Sequence, residues 1–213
     1  MEKQIIINVG RQLGSGGHEI GRRLAAIFHA QFYDREILNL AAEESGFAKE
    51  VFERNDERKG FLRSFLHLPF GSNTAAGDFY QNNFSQESLF KFQSDAIRRA
   101  ATEGNCVFIG RCADYVLRDN PSCTNIFVTA SMDFRVDHVC ERFGCSRDEA
   151  CRMIEKGEAS RASYYNYYTG KHWGQAESYH LCVDASLLGI DRTAEYIAQF
   201  VTARQSGAPS SDL

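Results

Sequence analysis

Apolar residues along the 213-residue chain fall into two rhythms. Short runs at residues 5–9 (IIINV), 31–33 (QFY), 106–109 (CVFI), 125–129 (NIFVT) and 181–184 (LCVD) have strand length. Between them lie longer stretches with helical spacing, at residues 19–29, 35–45, 86–103, 112–118 and 132–143, and a long one from about residue 148. Gly46, Gly104 and Gly144 stand where helix C-caps are expected, and Ser146 with Glu149 has capping-box spacing. Strands alternating with helices predict an α/β three-layer sandwich around a mostly parallel sheet of about five strands. Ligands of such sheets bind at the carboxyl ends of the strands, so the loops after Val9, Tyr33, Ile109, Thr129 and Asp184 are expected to share one rim.

Two segments break this rhythm. Residues 60–84 are rich in Phe, Gly and Asn with no strand pattern, and residues 164–180 are dense in Tyr and hold the only Trp. Each reads either as a binding segment or lid, or as an excursion that packs its aromatics into the core. For the second, polar content favours the lid. Residues 206–213 (SGAPSSDL) read as a disordered tail.

Composition narrows the class. With 43% hydrophobic and 24% charged residues and a formal charge of −4, the chain reads as a globular protein without the basic field that nucleic acid requires. No apolar run approaches the roughly 20 residues of a membrane span. No signal-peptide pattern precedes the first strand, so a cytoplasmic location is expected. The seven cysteines are odd in number and irregular in spacing, without a CxxC. They read as reduced thiols, with neither a disulfide framework nor a zinc site.

The candidate chemistry begins at "NVGRQLGSGGHEIGRRLA", residues 8–25. A strand enters a glycine-rich loop and leaves in a helix, the arrangement that holds phosphates on backbone amides at a helix N-terminus. Relative to the Gly-Lys-Ser/Thr ending of a P-loop, Gly17 stands in the lysine's position, and His18 and Glu19 where a Mg²⁺-binding hydroxyl is expected. The backbone cradle, Leu13, Gly14, Ser15, Gly16, Gly17, His18 and Glu19, survives. The side-chain cation does not, and Arg11, within the loop, is the candidate replacement. Ser15 and His18 also fit as plain loop-builders, and Glu19 suits the first turn of any helix.

Further arginines cluster toward the predicted rim. Asp34 and Arg35 follow the second strand, where Asp34 fits a helix N-cap and Arg35 a phosphate contact. Arg111 follows the third strand and Gly110, with Asp114 placed to orient it or to cap locally. Arg135 and Arg142, a heptad apart, share a helix face with His138, and Arg161 and Lys171 flank the tyrosine cluster. Solvated surface charge is the competing reading for each of these helix residues.

"GRQLGSGGHEIGRRLA", "FYDREIL", "CVFIGRCADYVL" and "YHLCVDASLLGID", in that order and spacing, resemble the cytidylate kinase-like family, a branch of the P-loop nucleoside monophosphate kinase group. The resemblance implies one kinase-like domain with its core over residues 4–33 and 85–205. It also implies a helical NMP-binding insertion at about 34–84 and a lid at about 158–175. It implies ATP as cofactor, with Mg²⁺ whose ligands are not identifiable, and small-molecule nucleotides as partners of a monomer or homodimer. Arg11, Arg135 and Arg161 would be catalytic, and Asp34, Arg35, Arg111 and Asp114 would bind the acceptor. The implied activity is phosphoryl transfer from ATP to a CMP- or dCMP-like monophosphate or a related small acceptor. Cys112 stands where such kinases carry an acidic residue, which departs from the pattern behind a cytidine preference, and the missing lysine keeps a second expectation open, a catalytically weak regulatory protein that binds nucleotide or phosphate.

Overall fold

The computed structural model of the protein describes residues 4–35, 37, 38 and 79–207. The chain divides into two compact units, Met1–Arg35 with Ile97–Leu213, and Glu36–Ala96. The predicted helix over residues 35–45, Gly46, the segment 60–84 and the insertion over 34–84 fall almost entirely outside the described residues, as does most of the tail after residue 206.

In the larger unit, five strands form one parallel sheet: β1 (Ile6–Arg11), β2 (Gln31–Tyr33), β3 (Cys106–Ile109), β4 (Cys123–Thr129) and β5 (Leu181–Asp184). Their order across the sheet is β2-β3-β1-β4-β5. β1 is central, with Val9 opposite both Ile109 and Ile126. Consecutive residues Ile6, Ile7, Asn8 and Val9 are all buried although they alternate between faces, so the sheet is covered on both sides. Because the strands are parallel, all five carboxyl ends lie on one edge, as the rim expectation requires.

Among the described residues there are six α-helices: α1 (Gly17–Ile27), α2 (Phe79–Glu103), α3 (Ala113–Val116), α4 (Met132–Phe143), α5 (Arg147–Thr169) and α6 (Ala185–Gln205). On one face Ile7, Val9, Val107, Ile109, Ile126 and Val128 meet Ile20 and Leu24 of α1 and Ala194, Ile197 and Val201 of α6. A second apolar cluster, Val136, Val139, Ala150 and Ile154, joins α4 to α5. Ser146 caps α5 in the predicted capping box with Glu149, and Gly144 ends α4 in the left-handed conformation. None of the described helices is long and apolar enough to cross a membrane.

Several boundaries differ from expectation. β1 continues two residues past Val9, because Gly10 and Arg11 keep pairing with Phe127 and Val128. Arg11 therefore ends a strand instead of lying in the loop. α2 starts at Phe79 instead of residue 86, and α3 is only four residues long because Cys112 before it is left-handed. Gly104 does not adopt the C-cap conformation. The helix α6 carries no counterpart among the predicted elements. Its signal was present: Asp184 accepts from the Ser186 amide as N-cap, and Ile190, Ala194, Ile197 and Val201 recur at helical spacing.

Since Ile197 is fully buried against the sheet, Ile197→Ala is expected to lower the unfolding free energy by about 2–5 kcal/mol in urea titration. A loss well under 1 kcal/mol would mean that α6 is not part of the core.

Candidate active site

β1 delivers the chain to Arg11, the turn of residues 12–16 follows, and α1 begins at Gly17. Two residues of this turn must be glycine. Gly14 has φ 81°, and a Cβ there would lie 2.5 Å from the Arg135 carbonyl oxygen, so the α4 backbone closes directly onto the turn. Gly16, with φ 74°, is the N-cap of α1 and leaves its first-turn amides without a side-chain cap. Ser15 is fully buried and its hydroxyl donates to the Gln12 carbonyl at 3.0 Å, which makes it a loop-builder. The turn faces a cavity of about 200 Å³ lined by Arg11, His18, Glu19, Arg142 and Arg161. That volume is on the scale of a polyphosphate, below the roughly 300 Å³ at which pockets for whole small molecules begin.

Arg11 takes the space that a lysine at position 17 would need. A Cβ on Gly17 would lie 2.5 Å from the Arg11 Cβ and 3.0 Å from its Cγ. A Cβ on Gly110, at the end of β3, would collide with the Arg11 guanidinium. The side chain therefore runs across the N-terminus of α1 from one glycine to the other, and both glycines are vacated for it.

Two more guanidinium groups converge there. Arg161 of α5 donates from Nη1 to the Arg11 carbonyl at 3.0 Å. Arg111 lies with its guanidinium carbon 4.7 Å from the centre of the Tyr164 ring. Burial, followed by the charges of Arg161 and Arg111, pushes the Arg11 guanidinium down to about 9. Burial and, among others, Arg135 and Arg111 push Arg161 down to about 10 despite Glu158. Both groups stay protonated at neutral pH, so the cluster is a concentration of positive charge that an anion would relieve.

Arg111 is also held in an uncommon conformation. Gly110, Arg111 and Cys112 have φ of 68°, 56° and 55° in succession. Two non-glycine residues in the left-handed region store roughly 1–3 kcal/mol each, and such strain concentrates where side chains are aimed for function. The Cys112 thiol beside it is buried and pushed up to about 12 by burial and Asp114, so it stays a thiol.

Arg135 sits differently from the other candidates. It is 4% exposed, donates from Nε to the Leu13 carbonyl at 2.8 Å, and pairs through Nη2 with Glu158. It is not solvated helix charge. It ties the glycine turn to α4 and α5.

The acidic residues have protein partners. Asp34 faces His18 Nε2 at 3.2 Å, at the boundary of α1 and the end of β2. Glu19 faces the other way, 3.7 Å from Arg142 Nη1 and 3.9 Å from His138 Nε2. Asp114 accepts from the Tyr165 hydroxyl at 2.7 Å, and burial raises its carboxyl above the usual range. Among the described residues no group of three or more His, Cys, Asp or Glu gathers to hold a metal ion. Mg²⁺ does not demand one, since it binds through phosphate oxygens, waters and one or two carboxylates. An imidazole at position 18 replaces the hydroxyl ligand, so any Mg²⁺ here would be held mainly by the nucleotide itself.

The structure thus brings Arg11, Arg161, His18, Glu19 and the turn of residues 13–17 to one cavity, with Arg111 beside them. Sequence patterns left Arg142 and His138 as surface charge, whereas both line that cavity. Glu158 and Tyr164, which position Arg135 and Arg111, carried no signal of their own. In the tyrosine-rich segment, Tyr165 is buried, and Trp173 and Tyr179 pack on Phe127 with ring centres 5.4 and 4.8 Å away. Residues up to Thr169 continue α5.

The sequence profile of the cytidylate kinase-like family matches residues 6–187, from the first strand to the start of α6. The chain belongs to the cytidylate kinase-like family. An uncharacterized protein from Eubacterium ventriosum matches at 28% identity and a TM-score of 0.72, over 94% of this chain and 99% of that one. A shikimate kinase from Bacteroides thetaiotaomicron shares the fold, at 13% identity and a TM-score of 0.52, over 94% and 99% of the two chains. No curated protein matches the sequence. Family membership supports a kinase-like, nucleotide-binding protein without naming its substrate.

If Arg11 excludes a side chain at position 17, Gly17→Ala should destabilise the fold by about 1–3 kcal/mol. Gly17→Ala combined with Arg11→Gly should cost less than the sum of the single changes, because only glycine at position 11 removes the Cβ that a Cβ on residue 17 would meet. Additive losses in thermal or urea unfolding would show that the two residues do not compete for the same space.

Proposed function

We propose that this cytidylate kinase-like protein transfers a phosphoryl group from ATP to a nucleoside monophosphate, CMP- or dCMP-like, or to a related small anionic acceptor. The observation that carries the reading is the convergence of Arg11, Arg111 and Arg161 on the glycine turn, where burial and the charges of Arg161 and Arg111 disfavour a further charge on Arg11, and burial and Arg111 do the same at Arg161. Phosphoryl transfer is catalysed mainly by positioning and by neutralising charge on the moving group, and this cluster supplies both. First-turn amides of α1 cradle the donor phosphates, Arg11 and Arg161 offset charge at the transition state, and Arg111 with Arg35 holds the acceptor's anionic group. Arg135 acts as a positioning residue through Leu13, and Asp114 through Tyr165 of α5. The stretch over residues 158–175 serves as the lid in this reading, and the donor arrives with Mg²⁺.

The absent lysine favours a second reading, a regulatory protein that binds nucleotide and turns it over poorly. Single-turnover assays with labelled ATP and a panel of acceptors including CMP and dCMP separate the two. Transfer to any acceptor supports the kinase. ATP binding with no transfer above background overturns it.

Arg111 allows a sharper check. Arg111→Gly relieves a left-handed backbone, so stability should stay level or rise by up to about 1 kcal/mol. The same change should lower kcat/KM for the acceptor about 100-fold while ATP affinity moves little. An equal loss of ATP binding would refute the acceptor role of Arg111.

A further inference from the structure

The imidazole of His18 and the carboxylate of Asp34 form a pair that charge neutralisation does not require. Nε2 of His18 lies 3.2 Å from Oδ2 of Asp34, and the ring stands edge-on to Phe32 with centres 5.3 Å apart. A carboxylate facing Nε2 fixes the proton on that nitrogen and leaves the lone pair on Nδ1. Apart from Asp34 and the Phe32 ring, His18 has no other side-chain partner among the described residues. It lines the same cavity as Gly14, Gly16, Gly17, Arg11 and Arg161. His18 and Glu19 split the two sides of the turn, since Glu19 turns toward α4 and His18 toward the end of β2.

We propose that His18, oriented by Asp34, is the general base of the reaction and that the accepting group is the hydroxyl of a small alcohol bearing an anionic substituent. This inference rests on the kinase reading and chooses within it. A phosphate monoester is already an anionic nucleophile at neutral pH and needs no base, whereas an alcohol must lose its proton as it attacks. The hydroxyl oxygen forms the new bond to the γ-phosphorus of a nucleoside triphosphate. The bond from that phosphorus to the β,γ-bridging oxygen breaks, with the electron pair staying on the diphosphate. The hydroxyl proton goes to Nδ1 of His18 and leaves from there to water. Arg111, beside the cavity, takes the anionic substituent.

The test compares wild type with His18→Gln and His18→Ala, using γ-labelled ATP. Acceptors are nucleoside monophosphates in one arm and small carboxylated or phosphorylated alcohols in the other, with water as the acceptor in ATP hydrolysis alone. Glutamine keeps an N–H donor toward Asp34 but has no second ring nitrogen, so a merely structural His18 predicts near-normal rates for His18→Gln. The base predicts a drop in kcat of about 100-fold or more for both variants, with the Kd for ATP within threefold of wild type. It also predicts partial rescue of His18→Ala by added imidazole, and label in an acid-stable phosphate ester. Label appearing in an acid-labile phosphoanhydride, or a His18→Gln variant as fast as wild type, overturns the base while leaving the kinase standing. If ATP binds but neither transfer nor hydrolysis exceeds background, both proposals fall. Circular dichroism and the retained ATP affinity establish that the variants are folded.

Discussion

The path of the Arg11 side chain across the start of α1 is the constraint on which the site depends. Its stem occupies the volume in front of Gly17, and its guanidinium occupies the volume in front of Gly110. With this backbone a side chain at position 17 and one at position 11 compete for the same space, because a Cβ on Gly17 would lie 2.5 Å from the Arg11 Cβ. The missing lysine is therefore a relocation of charge from the helix to the end of the central strand. Extending β1 to Arg11, through its pairing with Val128, is what puts that charge in place.

Concentrating Arg11, Arg111 and Arg161 in one place works against the fold, and the structure offsets that cost in several ways. The Arg161 guanidinium hydrogen-bonds the Arg11 carbonyl, Arg111 lies over Tyr164, and Glu158 stands near Arg161 while it pairs with Arg135. Each contact holds an arginine without neutralising the group of three. The left-handed residues Arg111 and Cys112 add strain at the same place. The positive charge that remains beyond what Asp34, Glu19 and Glu158 offset, together with the strain, is what a bound anion would relieve.

Much of this was legible in the sequence because the signals are local. The alternation of strands and helices, the Ser146–Glu149 cap and the glycine turn all follow from short-range patterns. What escaped depends on contacts far apart in sequence. Arg135 looked like surface charge because nothing near it shows that Leu13 and Glu158 enclose it. The packing of Tyr165 and Trp173 has no local sign because their partners, Asp114 and Phe127, lie some 50 positions earlier. His18 and Asp34 were each noted, but as a loop residue and a helix cap, and only the fold of β2 beside α1 makes them a pair. The missed helix α6 is a different case, since its apolar spacing and cap were in plain view.

Moving the cation from helix to strand changes how the charge is used. A lysine is a compact charge on a flexible stem and follows a phosphate as it moves. The guanidinium of Arg11 is buried, the side chain runs through the space left by Gly17 and Gly110, and the backbone carbonyl is held by Arg161, so this arginine has little of a surface lysine's freedom. A planar, fixed donor suits a phosphate whose place is set by the backbone cradle, and it is poorly suited to tracking a group in flight. In the proposed reaction, discrimination and activation would then come from the acceptor side, where Arg111 is held in a left-handed conformation and His18 faces Asp34. On that proposal, the loop without a lysine places more of the chemistry on residues that neighbour the acceptor than on those that hold the donor.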